Sequence, residues 1–226
     1  MKYLVIMAAM AYAATSAPMA RAQDYVFQGF ATADAMNQMH AAMRDNMIEP
    51  PSQARAPSRG AATASATAPE RRATAQTTYR SSSTVSTRVR AQFAEFIERT
   101  SGREAAERAR SAFQGGDPIA SWASIVRQDG LRTGDLADAM AAYWILNWIM
   151  ANQGDNNRTQ ALAVRDQVRG VIGGSPAVAR LGDAGRQEMA EVLMLNFLVQ
   201  QATYVDAMQR GDQAMMRRLG DAAVAR

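Results

Sequence analysis

One stretch of the chain collects residue types that can ligate a soft metal. Met36, Met39, His40, Met43 and Met47 recur at steps of 3, 1, 3 and 4, so a helix brings all five onto one face. Thioethers with a single imidazole form a ligand set suited to Cu(I). The chain has no cysteine and 1 histidine, so these are its only soft ligands. The same spacing has a plainer reading, in which methionines at helical period form an apolar face that packs on the rest of the chain or on a partner. The 15 methionines spread along the sequence favour that reading, with copper binding as its rival.

A second constellation lies further on. The segment Tyr143–Met150 is apolar nearly all round, and Asn147 interrupts it between Trp144 and Trp148. Asn196 interrupts a matching run from Leu193 to Val199. A buried amide left unsatisfied costs about 1–3 kcal/mol, so each needs partners. Either the two amides line a polar pocket with Trp144 and Trp148, or they form a structural pair that fixes helix register, as a buried Asn does in coiled coils. The structural pair is the expectation. Met140-Ala141 with Leu146-Asn147 aligns with Met189-Ala190 and Leu195-Asn196 at an offset of 49 residues, by chance or by an old duplication.

Paired carboxylates are the remaining chemistry. Glu95/Glu98, Glu104/Glu107 and Glu188/Glu191 stand at i,i+3, mostly beside Arg, where they solvate a helix. Their use in a hydrolase, for instance on cell-wall glycans, requires two of them across a cleft. No nucleophile-elbow, zinc-protease, phosphate-loop or dinucleotide glycine motif is present, and Gln153-Gly154-Asp155-Asn156-Asn157 lacks calcium-loop spacing. No cofactor is expected.

The elements that position these residues begin after a targeting signal. Lys2 precedes an apolar stretch, Tyr3 to Ala14, and Ala20-Arg21-Ala22 offers a cleavage site, so residues 1–22 read as a signal peptide. The apolar run is short of the roughly 20 residues a membrane span needs. The expected location is periplasmic or secreted. Cleavage removes Lys2 and Arg21 and lowers the formal charge from +4 to +2. Lys2 is the only lysine, so the pI near 9.8 reflects arginine rather than a large positive excess. No concentrated basic face appears, which argues against nucleic acid as a partner.

Residues 23–49 hold the Met-rich amphipathic segment. Residues 50–84 are rich in Pro, Ser, Thr, Ala and Arg with almost no large apolar side chain, and read as a disordered linker. From 85 to 226 the pattern is helical. Val85, Val89, Phe93, Phe96 and Ile97 make one apolar face, with Ser83 or Thr84 to cap and Gly102 to stop it. Asp117-Pro118 and Ser175-Pro176 are cap-plus-proline starts. Thr133 or Asp135 opens a core helix running to about Asn152 and closed by Gly154. Asp155 or Asn156 opens the next, Asp183 a long one through Tyr204, and Gly211-Asp212 the last. The fold class is all-α, a compact orthogonal or irregular bundle of about six to eight helices.

The block Gly116-Asp117-Pro118, then Gly130-Leu131-Arg132-Thr133-Gly134-Asp135-Leu136-Ala137-Asp138, then Ala142-Tyr143-Trp144 with Trp148, resembles a family of uncharacterised bacterial secreted proteins. The resemblance runs from about Tyr79 to the C-terminus. It implies a signal peptide, a low-complexity region and a C-terminal helical domain, and no catalytic residue. The functional expectation is a non-catalytic interaction module with a protein partner in the cell envelope. A Cu(I) or small apolar ligand-binding protein is the first alternative, a carboxylate hydrolase the second.

Overall fold

The computed structural model describes residues 76–224. These are 81% helical, in eight α-helices without a strand, which makes the fold all-α as expected. The expected signal peptide (1–22), the Met-rich segment (23–49) and residues 50–75 of the expected linker lie outside the described residues.

Chain order follows the caps and glycines. Helix α1 (Ser83–Ser101) buries Val85, Val89, Phe93 and Phe96, the predicted stripe, and ends at Gly102 with φ 87°. Helix α2 (Arg103–Gly115) returns against it, with Phe93 and Phe113 rings 6.4 Å apart. Arg108 pairs with Glu104, and Arg110 meets both Glu98 and Glu107 on the outer side. Helix α3 (Pro118–Val126) starts as predicted, the Asp117 carboxylate accepting the Ile119 N–H at 3.0 Å. A 3-10 turn, Arg127–Asp129, leads to Gly130 at φ 80°.

Two helices carry the core. Helix α4 (Leu136–Asn152) is capped by Asp135, which accepts from the Ala137 N–H at 2.9 Å, and is buried on nearly every side. Helix α7 (Asp183–Arg210) is 28 residues long and likewise sunk in the fold. Such helices are apolar around most of their circumference because other helices cover them on several sides. Helices α4 and α7 pack on each other. Helices α5 (Arg158–Gly173) and α8 (Gln213–Val224) close over α4, α1 and α3 over α7, and the single turn α6 (Pro176–Ala179) links α5 to α7.

Four local details differ from the sequence reading. The left-handed residue ending α4 is Gln153, at φ 50°, not Gly154. Gly154 is small for another reason: a Cβ there would stand 2.8 Å from the Trp148 ring. The cap of α5 is Asn157, in a capping box with Gln160, rather than Asp155 or Asn156. The bundle also begins before residue 85. Thr77 accepts the Leu136 N–H and Tyr79 donates to the Gly134 carbonyl, both at 2.9 Å, while Tyr79 itself is buried. A short extended lead-in has no helical period, so composition alone merged it with the linker. Finally, Trp148 is 51% exposed, although its segment reads as wholly core.

Candidate functional site

The faces of α4 and α7 that meet near their C-terminal halves do not fill the space between them. They enclose a cavity of about 560 Å³. One wall is Ala142, Ile145, Leu146 and Ile149, at i, i+3, i+4 and i+7 on α4, a single stripe of that helix. The opposite wall is Phe197, Gln201, Tyr204, Val205 and Met208 on α7, again at helical period. Val126, Asp129 and Leu131 form the third side from the end of α3 and its following turn. Gln153, Gly154 and Asp155, the turn after α4, lie at one edge.

The walls are apolar and mostly shielded from water, but Met208 is 44% exposed, so the cavity reaches the surface at the α7 end. Its polar groups are Asp129, Gln153, Asp155, Gln201, Tyr204 and Gln209, and the two carboxylates share a partner. Asn156 donates from Nδ2 to the Asp129 carboxylate at 3.1 Å, and its own N–H donates to Asp155 at 2.8 Å. Gly130 lets this corner form: its φ is positive, and a Cβ there would stand 3.0 Å from the Arg158 guanidinium carbon. Burial raises the Tyr204 hydroxyl above its ordinary value, so it stays protonated as a donor.

A separate polar network ties the lead-in to the other end of the bundle. Gln187, fully buried, donates from Nε2 to the Ser82 carbonyl at 2.9 Å and to Glu191 at 2.7 Å, and accepts the Ser82 N–H at 2.8 Å. Ser86 donates to Glu191 at 2.7 Å. Arg88 pairs with buried Glu188 at 2.7 Å. Nearby, Arg169 bridges Asp135 at 2.6 Å and Asp138 at 3.2 Å, and the Arg132 N–H donates to Asp138 at 2.9 Å. Asp138 is fully buried, and burial, with Asp135 beside it, raises its carboxyl above the ordinary value.

The predicted site residues fall as follows. Asn147 and Asn196 are buried, and each donates back to the carbonyl four residues earlier, Tyr143 at 2.7 Å and Val192 at 2.9 Å. Trp144 packs partly buried against the core, and Trp148 faces solvent. None of the four lines the cavity, which opens on neighbouring faces of the same helices. Met36, Met39, His40, Met43 and Met47 lie outside the described residues. Glu95, Glu98, Glu104 and Glu107 are exposed as expected, but Glu188 and Glu191 are interior and structural. The carboxylates that do meet the cavity, Asp129 and Asp155, sit in turns that the sequence marks only as stops and caps. Among the described residues no group of three or more His, Cys, Asp or Glu side chains is placed to hold a metal. No described helix is long and apolar enough to cross a membrane.

The architecture is thus a helical bundle with an apolar cavity between its two central helices. By sequence, the chain belongs to DUF6683, a family of unknown function that it matches over residues 1–225, well beyond the C-terminal region that carried the resemblance. No curated protein and no solved structure matches it.

Proposed function

We propose that this protein is an exported, non-catalytic binding module that receives a small apolar ligand in the cavity between α4 and α7. The observation that carries the reading is the cavity itself: its volume lies in the range of roughly 300–1,000 Å³ typical of ligand sites, and its surface is predominantly apolar. Residues Lys2 to Ala22 support export. The lining carries no Ser, Thr, Cys, Lys or His, and its two carboxylates, Asp129 and Asp155, both accept hydrogen bonds from Asn156, which supports binding over catalysis.

The test is titration of the full chain with a neutral solvatochromic dye, followed by displacement with 1-dodecanol. Saturable one-to-one binding that weakens in Met208→Glu is the expected result. Absence of saturable binding by dye and alcohol alike overturns the reading. The Met36–Met47 face remains a proposal of its own, either an apolar docking face or a Cu(I) site. Unchanged Cu(I) affinity on replacing Met39 and His40 removes the copper version.

A further inference from the structure

We propose that the cavity takes a neutral apolar ligand that carries a carboxamide group, and that Gln201 and Tyr204 hold that group inside the bundle. This rests on the cavity being the ligand site and adds the chemistry of what enters it.

Gln201 and Tyr204 stand at i and i+3 in the α7 wall, and each is 6% exposed. Residues at that spacing are neighbours on one helix face. Helical side chains also lean toward the preceding turn, which carries the Tyr204 ring toward Gln201. Among the described residues neither side chain has a hydrogen-bond partner. Burial alone raises the Tyr204 hydroxyl, with no hydrogen bond to offset it. The neighbouring Gln200 amide is sealed inside the bundle. The Gln201 amide and the Tyr204 hydroxyl keep exposed surface, and the space beside them is the cavity.

Other buried amides of α7 are engaged by the fold: Gln187 bonds Ser82, Ser86 and Glu191, and Asn196 turns back onto Val192. Gln201 has no such use. Burying an amide without a partner is unfavourable, so packing alone favours Leu or Met at this point of the stripe. The valences point to one class of ligand. Gln201 offers two N–H donors and a carbonyl acceptor, and Tyr204 a hydroxyl donor. A carboxamide answers both residues: its oxygen accepts from the Tyr204 hydroxyl and from Gln201 Nε2, and its N–H donates to Gln201 Oε1. A ketone answers the donors only, and an alkane answers nothing. The group is held away from the opening, since exposed Met208 stands seven residues beyond Gln201, about 10 Å along α7. The apolar remainder of the ligand lies against Phe197 and the Ile145–Leu146 wall of α4.

The experiment uses the full chain and three probes that share a heptyl chain and a shape: octanamide, heptyl methyl ketone and nonane. Each is measured below its solubility limit by displacement of the neutral dye. The quantity read is the change in each affinity on substitution, which cancels the different hydration of the probes. Tyr204→Phe is expected to weaken octanamide and the ketone about three- to tenfold and to leave nonane unchanged. Gln201→Leu is expected to weaken octanamide at least as much, with nonane unchanged or tighter. Neither substitution removes a hydrogen bond of the fold, so Tm by circular dichroism should hold or rise in both. Gln200→Leu removes an equally buried amide that is off the lining, and should leave all three affinities unchanged. If octanamide fails to displace the dye, or Gln201→Leu and Tyr204→Phe move octanamide and nonane alike, or Gln200→Leu acts as Gln201→Leu does, the carboxamide class is wrong while the cavity reading stands on the dye and 1-dodecanol. If dye and dodecanol do not bind, both fall together.

Discussion

Ala142→Leu tests directly whether the space between α4 and α7 is open. Ala142 lies on the cavity wall and is 2% exposed, so a larger side chain there points into the void rather than into water. Leucine adds three carbons. At about 0.8 kcal/mol per buried methylene, these give at most about 2.4 kcal/mol. Ordering the new side chain costs about 0.5–1 kcal/mol, and the lower helix propensity of Leu a few tenths of a kcal/mol. The net is a stabilisation of about 1–1.5 kcal/mol, or about 3–5 °C in Tm for a domain of this size. The same substitution occupies ligand space, so dye affinity drops. The assay pairs thermal unfolding by circular dichroism with dye titration on wild type and variant. The result that refutes the reasoning is a Tm decrease: overpacking a filled core costs about 1–3 kcal/mol, so destabilisation means that Ala142 already has tight neighbours on that side.

The other substitutions probe the scaffold. In Asp138→Asn an acceptor for the Arg132 N–H remains, and the buried charge is gone. A carboxyl raised in the folded state contributes stability that is present below its unfolded value and lost as pH rises through the folded one. The Asn variant should therefore gain on wild type from about pH 4 upward, which urea unfolding across pH measures. Gly220→Ala places a Cβ 2.9 Å from the Met150 carbonyl oxygen, so α8 must shift off α4. Despite the better helix propensity of Ala, a loss of about 1–3 kcal/mol is expected by chemical denaturation. Arg88→Ala removes the cation paired with the Glu188 carboxylate, which is 2% exposed, whereas Glu188→Gln removes the charge itself. Arg88 is half exposed, which tempers the loss, and the order of Tm should be wild type, then Glu188→Gln, then Arg88→Ala.

Sequence patterns carried the fold well wherever a cap, a stripe and a stop coincided. Asp117-Pro118 marks a capped start, Asp135 another, and the Val85–Phe96 stripe faces inward as its period requires. The lead-in at Thr77–Ser82 was illegible because its partners, Gly134, Leu136 and Gln187, are 50 to more than 100 residues away and leave no local period. The cavity was illegible for a related reason. On α4 the apolar residues go nearly all the way round, so the sequence cannot separate the side that is packed from the side that borders a void. Ala142 in a stripe of Ile and Leu is the one visible trace, since a small residue facing a second helix leaves space that a larger one would occupy. Asn147 drew attention as the polar break in the run, but its amide turns back onto its own helix at Tyr143 and bears no relation to the opening one stripe away.

Helix α7 performs two tasks at different heights. Its N-terminal turns hold the lead-in through Gln187 and the first turns of α1 through Glu188 and Glu191, and its C-terminal turns wall the cavity from Phe197 to Met208. Glu188 and Tyr204 are 16 residues apart on one helix, about 24 Å at 1.5 Å per residue. Changes at sites this far apart, sharing no partner, add to within about 0.3–0.5 kcal/mol. The double variant Arg88→Ala/Ala142→Leu should therefore show the sum of the two single effects on unfolding free energy, one destabilising and one stabilising. Dye affinity should follow Ala142→Leu alone. A coupling clearly beyond that margin, or a dye affinity that responds to Arg88→Ala, would mean that the contact between α1 and α7 controls the cavity through α7. In that case the two ends of the helix would have to be treated as one device rather than as a fastening and a pocket that share a backbone.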